Sequence, residues 1–136
     1  MRFPRRSGIL LHLTSLPGPW GIGGLGEETE EFMDLLADAG QKIWQVLPLN
    51  PVGFGNCPYA SPSAFAGNPL LIDPRKLVRD NLLRPEDIQP EKPFESDRVD
   101  YPRVSRFKER LLEKAYRRFL VSGPDLIRDF YDFCFL

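Results

Sequence analysis

The sequence predicts an α/β protein that opens with a βαβ unit and continues as a mainly helical region. Two short apolar runs, residues 9–13 and 43–47, have the near-continuous hydrophobicity of strands buried on both faces. Between them the apolar period becomes helical, and strand, helix and strand within about 40 residues make a parallel pair joined by a crossover. Beyond residue 73 the only regular periodicity is helical.

The first strand, Ile9, Leu10, Leu11, His12 and Leu13, runs into a Gly- and Pro-rich loop over residues 15–26. A helix then starts at Glu27. Glu27, Glu28 and Glu30 load its first turn, where carboxylates meet the positive end of the helix dipole. Phe32, Leu35, Leu36 and Ala39 share one face, and Gly40 stands where a left-handed glycine closes a helix. Pro48 stops the second strand. Residues 48–73 are dense in Gly, Pro, Asn and Ser and read as loop. Asp73 should cap a short helix with Pro74 at its first position and Leu77 and Val78 turned inward. Residues 84–102, charged and proline-bearing, should be irregular and exposed. A long helix is expected over residues 104–121, with Phe107, Leu111, Ala115 and Phe119 as its stripe. Another should start near Pro124, with Leu126, Ile127, Phe130, Phe133 and Cys134 on a wide apolar face.

One crossover helix covers only one face of two parallel strands, and parallel sheets are almost always covered on both. The last helix ends in Phe133, Cys134, Phe135 and Leu136, with no cap and no polar tail. The expectation is a truncated chain whose partner strands lie outside these 136 residues.

With 42% hydrophobic and 27% charged residues, the composition is that of a folded globular protein and argues against disorder. A net charge of −1 gives no global attraction to nucleic acid or anionic lipid, so neither is expected as a partner. No stretch approaches the roughly 20 apolar residues of a membrane span. Basic residues before Ile9, Leu10 and Leu11 resemble the start of a signal peptide, but His12 breaks the run short of the roughly 7–15 residues required. Cys57 and Cys134 lie far apart, leaving room for one bridge but describing no disulfide framework. A cytoplasmic protein fits best.

Three features invite chemistry and support little of it. Gly21, Gly23 and Gly26 satisfy G-x-G-x-x-G ahead of a helix. A dinucleotide site needs the first glycine directly after the strand and an acidic residue closing the second strand, and both are missing. A structural glycine turn is the better reading. Arg103, Arg106, Lys108, Arg110, Lys114, Arg117 and Arg118 suggest a nucleic-acid helix, but Glu109 and Glu113 interrupt them and Glu113 pairs with Arg117 at i,i+4. A solvated face is expected. His12 is the single histidine; metal sites need three or four ligands, so a hydrogen-bonded core or loop-anchoring histidine is expected, with no metal and no cofactor.

Residues 53–69 carry more information. They follow the C-terminal end of the second strand, where α/β proteins bind ligands. The segment combines aromatics with hydroxyls and amides and holds no charge. Sugars present apolar C–H faces edged by neutral hydroxyls, and burying those hydroxyls unpaired costs about 1–3 kcal/mol each. Flat rings with neutral donors and acceptors suit them. Composition equally allows an ordered proline-rich loop.

Gly8 to Pro19, with Leu10, His12, Thr14, Ser15 and Pro17, resembles the opening strand and loop of the amylomaltases, or 4-alpha-glucanotransferases. Gly21 to Gly26, then Trp44, Gln45, Val46, Leu47, Pro48 and Leu49, follow that family's pattern in order. Pro58-Tyr59 and the run from Ser63 to Asp73 resemble its most recognisable block, and Val99, Asp100 and Tyr101 before Phe107 and Lys108 extend the likeness. Leu13 stands where the family usually has proline, Asn56 for aspartate, Cys57 for serine, Ala60 for glutamine and Pro62 for phenylalanine. These departures bear on fine substrate contacts and leave the fold untouched.

The resemblance implies a (β/α)8 TIM-type barrel with insertions. Residues 1–73 would form its first βαβ unit and glucan-binding loop, and residues 74–136 part of an inserted, mainly helical region. It implies transfer of α-1,4-glucan segments between maltooligosaccharides with retention, which requires a nucleophile and an acid/base carboxyl about 5–5.5 Å apart. Those carboxylates are expected downstream of Leu136, so no Asp or Glu here is assigned as catalytic, and the chain alone is expected to be inactive. Tyr59 matches the family tyrosine that stacks on the donor sugar; a buried core tyrosine is the alternative. Ser61 and Asn68 are candidates to bond sugar or hold the loop, the loop role being favoured for Asn68. Phe54 and Tyr101 are candidate outer sugar platforms. The rival readings are a non-catalytic glucan-binding protein and a fragment of a related α-glucan hydrolase.

Overall fold

A computed structural model describes residues 4–122. Strands β1 (Gly8–Leu10) and β2 (Ile43–Gln45) pair in parallel, with Gly8 opposite Ile43, Ile9 opposite Trp44 and Leu10 opposite Gln45. The expected βαβ unit is present, because helix α1 (Glu27–Asp38) supplies the crossover that a parallel pair needs. Gly40 adopts φ +72°, its amide bonds the Ala37 carbonyl, and the Gln41 amide reaches Leu36 at 2.9 Å. This is a Schellman closure, the geometry that glycine at this position allows without steric cost.

The strands are shorter and more open than the apolar runs suggest. β1 ends at Leu10, and Leu13 begins a 3-10 turn (Leu13–Ser15) instead of closing the strand. Ile9 is 40% and Leu10 60% exposed, so β1 is not buried on both faces. The sheet has two strands among the described residues, and α1 lies against it through Phe32, edge-on to Trp44 at 5.0 Å. Of the expected helix face, Phe32 and Leu36 are half-buried, whereas Leu35 and Ala39 remain exposed.

Helix α2 (Pro74–Arg79) forms as expected. Asp73 Oδ1 accepts the Arg75 amide at 2.7 Å, and Leu77 and Val78 turn toward the core. Helix α3 (Tyr101–Ser122) starts three residues before the apolar stripe suggests. Asp100 Oδ1 accepts the Arg103 amide at 3.1 Å, an N-cap interaction that begins the helix ahead of its first buried side chain.

α3 is the spine of the core. Phe107, Leu111 and Ala115 pack with Trp20 and Leu83, and Val104 packs with Ile22 and Leu70. Residues 84–99 are irregular, but they are not simply exposed. Phe94 meets Phe107 edge-on at 5.6 Å, and the Ile88 carbonyl accepts the Trp20 indole at 2.8 Å. An irregular segment inserts where an aromatic ring and a carbonyl have buried partners, which charge density alone does not reveal. The helix expected from Pro124, and the apolar residues through Leu136, lie outside the described residues. Among the described residues, no helix is long and apolar enough to cross a membrane.

Candidate functional site

The segment after β2 returns on itself. The Asn68 amide donates to the Leu49 carbonyl at 2.8 Å, closing the neck, and Asn50 Nδ2 donates to the Ser63 carbonyl at 3.1 Å across the loop. A tight inner turn runs from Gly53 to Cys57, whose carbonyl accepts the Gly53 amide at 3.0 Å. Gly55 and Asn56 both have positive φ there. Short polar side chains hold the far limb. Ser61 Oγ donates to the Ser63 carbonyl at 2.8 Å, and Ser63 Oγ accepts the Phe65 and Ala66 amides. Asn68 is buried and its Oδ1 accepts the Leu70 amide at 3.0 Å, capping a 3-10 turn (Pro69–Leu71).

With the backbone so occupied, the rings point outward. Tyr59 is 73% exposed, and Phe54 and Phe65 almost wholly so. Phe54, Tyr59, Ser61 and Asn68 therefore share one closed loop, with the first two on its surface and Asn68 at its neck. Tyr101 belongs elsewhere. It opens α3, packs against the Ile22, Leu70 and Val104 cluster, and lines a cleft of about 1010 Å³ between residues 14–22 and 89–101. None of the other four candidates lines that cleft. Cys57 is half-buried and a free thiol; Cys134 lies outside the described residues. Among the described residues, no three His, Cys, Asp or Glu side chains gather to hold a metal ion.

The C-terminal limb of the loop is tied into the core by a charged hub that the sequence did not announce. Leu70 and Leu71 are buried, and Asp73 follows them. Arg75 contacts Asp73, Glu28 and Glu27, each at 2.6 Å, and lies 5.1 Å over the Trp20 ring. Burial pushes the Asp73 carboxyl up, but the hydrogen bonds and charge of Arg75, with the charge of Lys108, hold it below its ordinary value. Arg75 is raised by its Asp73 partner.

Lys108, expected on a solvated face, is 2% exposed. Its ammonium donates to the Ile72 carbonyl at 2.5 Å and sits 5.6 Å over Trp20. Burial lowers it to about 8, with nearby Asp73 and Glu28 opposing the shift. Its helical phase was the available signal, because Lys108 follows Val104 by four residues and precedes Leu111 by three, inside the stripe. Glu27 and Glu28, read only as helix-start charges, are also the partners of Arg75.

The glycine run is structural. A Cβ on Gly23 would stand 2.0 Å from the Leu13 carbonyl oxygen, and one on Gly26 would stand 1.7 Å from Asp73 Oδ2. No side chain fits at those positions, so the close packing of the turn requires glycine there. His12 is buried, as a core histidine should be, but its Nδ1 has no hydrogen-bond partner, contrary to expectation. Burial lowers its pKa, favouring the neutral ring.

Residues 11–135 match the glycoside hydrolase family 77 profile, described as 4-alpha-glucanotransferase. The 4-alpha-glucanotransferase of Synechocystis sp. is 45% identical over 131 residues, covering 96% of this chain and 26% of that protein. The Thermus thermophilus 4-alpha-glucanotransferase is 50% identical over 119 residues, covering 88% and 23%. Among solved structures, an amylomaltase from Streptococcus agalactiae in complex with acarbose matches with a TM-score of 0.84 and 42% identity. That match covers 96% of this chain and 26% of the amylomaltase. The chain thus spans about a quarter of the length of the relatives it matches. A profile match over nearly its whole length, joined to these identities, places the chain in the 4-alpha-glucanotransferase family.

Proposed function

We propose that the protein is a 4-alpha-glucanotransferase that moves α-1,4-glucan segments between maltooligosaccharides by a retaining double displacement, with residues 1–136 contributing the opening of its fold and part of its glucan-binding surface. The observation that carries this reading is the closed, charge-free loop after β2, which turns Tyr59 and Phe54 toward solvent while its polar side chains hold its own backbone. An exposed ring with a hydroxyl edge suits the C–H face of a glucose unit. The acarbose complex of the similar amylomaltase supports an oligosaccharide-like ligand. In this reading Tyr59 is the donor-sugar platform, Ser61 and Asn68 assist through the loop, and Phe54 and Tyr101 are outer platforms. Residues 1–73, with β1, α1, β2 and the glucan-binding loop, would open a (β/α)8 barrel that continues beyond them, and residues 74–136 would form part of an inserted helical region. The reacting carboxylates would lie beyond residue 136, and the protein would work in the cytoplasm.

The test is incubation of the protein, with whatever sequence its gene supplies beyond residue 136, with maltotriose. Glucose together with chains longer than maltotriose is the expected product pattern. Glucose and maltose without longer chains would replace transfer with hydrolysis, and saturable maltooligosaccharide binding without turnover would leave a glucan-binding protein.

A further inference from the structure

Most cations of α3 are already engaged. Lys108 bonds the Ile72 carbonyl, Lys114 and Arg118 meet Asp87, and Arg117 meets Glu113 at 2.6 Å. The remainder gather in one place. Arg103, Arg106 and Arg110 follow one another at i, i+3 and i+7 and so share one side of the helix. With Lys92 they line a cleft of about 530 Å³, beside Phe94 and Phe107. Its lining sets these four cations against one carboxylate, Glu91, whose side chain is 88% exposed and stands 3.6 Å from Arg110. Glu109 does not line it.

The guanidinium groups are partly ordered in advance. Arg103 lies 4.2 Å over the Phe94 ring and donates to the Lys92 and Pro93 carbonyls, so it is fixed without a carboxylate. Arg110 lies 5.7 Å from the Phe107 ring centre. The Arg106 and Lys92 side chains have no ion-pair or hydrogen-bond partner among the described residues. Stacked, pre-positioned guanidiniums lose less freedom on binding, and their planar forks match the oxygens of phosphate. A concave wall in which four cations face a single carboxylate, backed by two phenyl rings, concentrates attraction for anions, on a chain whose net charge is −1. A neutral sugar would leave this charge unanswered.

We propose that this cleft binds a compact dianionic oxoanion, either the phosphate group of a phosphate monoester or free inorganic phosphate. The site is independent of the loop that carries Tyr59. Isothermal titration of the full chain with inorganic phosphate and with glucose 6-phosphate, each against potassium chloride of matched ionic strength, tests it. Saturable binding with a Kd of about 1 mM or tighter is expected. R106A and R110A should each weaken it at least about fivefold, while R117A, which removes a cation already paired elsewhere, should stay within about twofold. Glucose 6-phosphate binding tighter than phosphate marks a monoester as the occupant; equal or weaker binding marks the free ion. The proposal is overturned if neither probe saturates by about 20 mM, or if R117A loses as much affinity as R106A and R110A.

Discussion

Lys108 makes the stability of this chain depend on pH in a direction opposite to that of most surface lysines. Its ammonium is buried among Trp20, Ile72, Asp73 and Arg75, and burial lowers it from the ordinary 10.5 to about 8. Below pH 8 both folded and unfolded chains carry the proton, and the folded state bears the full cost of a buried charge. Between about 8 and 10.5 the folded chain releases the proton while the unfolded one keeps it, so the unfolded state binds more protons and stability rises with pH. At about 1.4 kcal/mol per pH unit the whole gain is about 3 kcal/mol, of which about 2 kcal/mol is reached by pH 9.5. Lys108→Met keeps the length of the side chain and removes the titration. Urea denaturation followed by tryptophan fluorescence at several pH values between 7 and 10 reads the difference. The stability of the parent chain should climb relative to Lys108→Met by about 2.5 kcal/mol over that range, and at pH 7 the variant should be no less stable than about 1 kcal/mol below the parent. Curves that stay parallel within about 0.5 kcal/mol would refute the reasoning, because a lysine that reaches water has no burial to relieve.

Asn68→Ala removes the cap on the 3-10 turn (Pro69–Leu71) and should cost about 1 kcal/mol, with faster amide exchange across residues 49–68; Asn68→Asp, which keeps the accepting oxygen, should retain most of the protection. Gly40→Ala and Gly26→Ala should differ sharply in calorimetry. The first meets no atom and loses only about 1 kcal/mol to its positive φ, whereas the second drives a methyl into Asp73, breaks up the Arg75 hub and should lose more than about 2 kcal/mol. If Tyr59 is a sugar platform, Tyr59→Ala should lower kcat/KM for maltotriose at least about tenfold in the complete enzyme, and Tyr59→Phe should stay within about threefold. Equal losses for the two variants would assign the effect to the hydroxyl instead of the ring.

The βαβ unit was legible because its signals are local. Apolar runs, a glutamate-loaded first turn and Gly40 each act within a few residues of themselves. The Asp73 cap with Pro74 was legible for the same reason. What escaped depends on partners distant in sequence. Phe94 sits in a stretch of charges and prolines, and its burial is decided by Phe107 on a helix that sequence spacing alone does not dock against it. Lys108 reads as a surface cation by residue type, yet its position in the stripe buries it, and the Ile72 carbonyl makes that burial tolerable. Arg75 gave no sign of joining α1 to α2, because Glu27, Glu28 and Asp73 converge only when Gly26 lies against Asp73. The loop's composition allowed either a sugar surface or an ordered proline-rich loop, while its hydrogen bonds decide which side chains remain available.

Those hydrogen bonds bring the hub and the loop into one mechanical unit. The loop after β2 has two ends: one continues from the strand, and the other is the turn (Pro69–Leu71) whose leucines are buried beneath α3. Ile72 joins that turn to Asp73, and its carbonyl is the acceptor for Lys108. The same residue pair therefore fixes the register of the loop's exit and the docking of α3. A substitution that lets α3 shift must move the limb carrying Asn68 and Ser63, which in turn hold the backbone that presents Tyr59. Loop order and core stability should accordingly fall together in Lys108 and Asp73 variants. Phe54 and Phe65 make no such contacts and stand on the surface, so their replacement should alter neither.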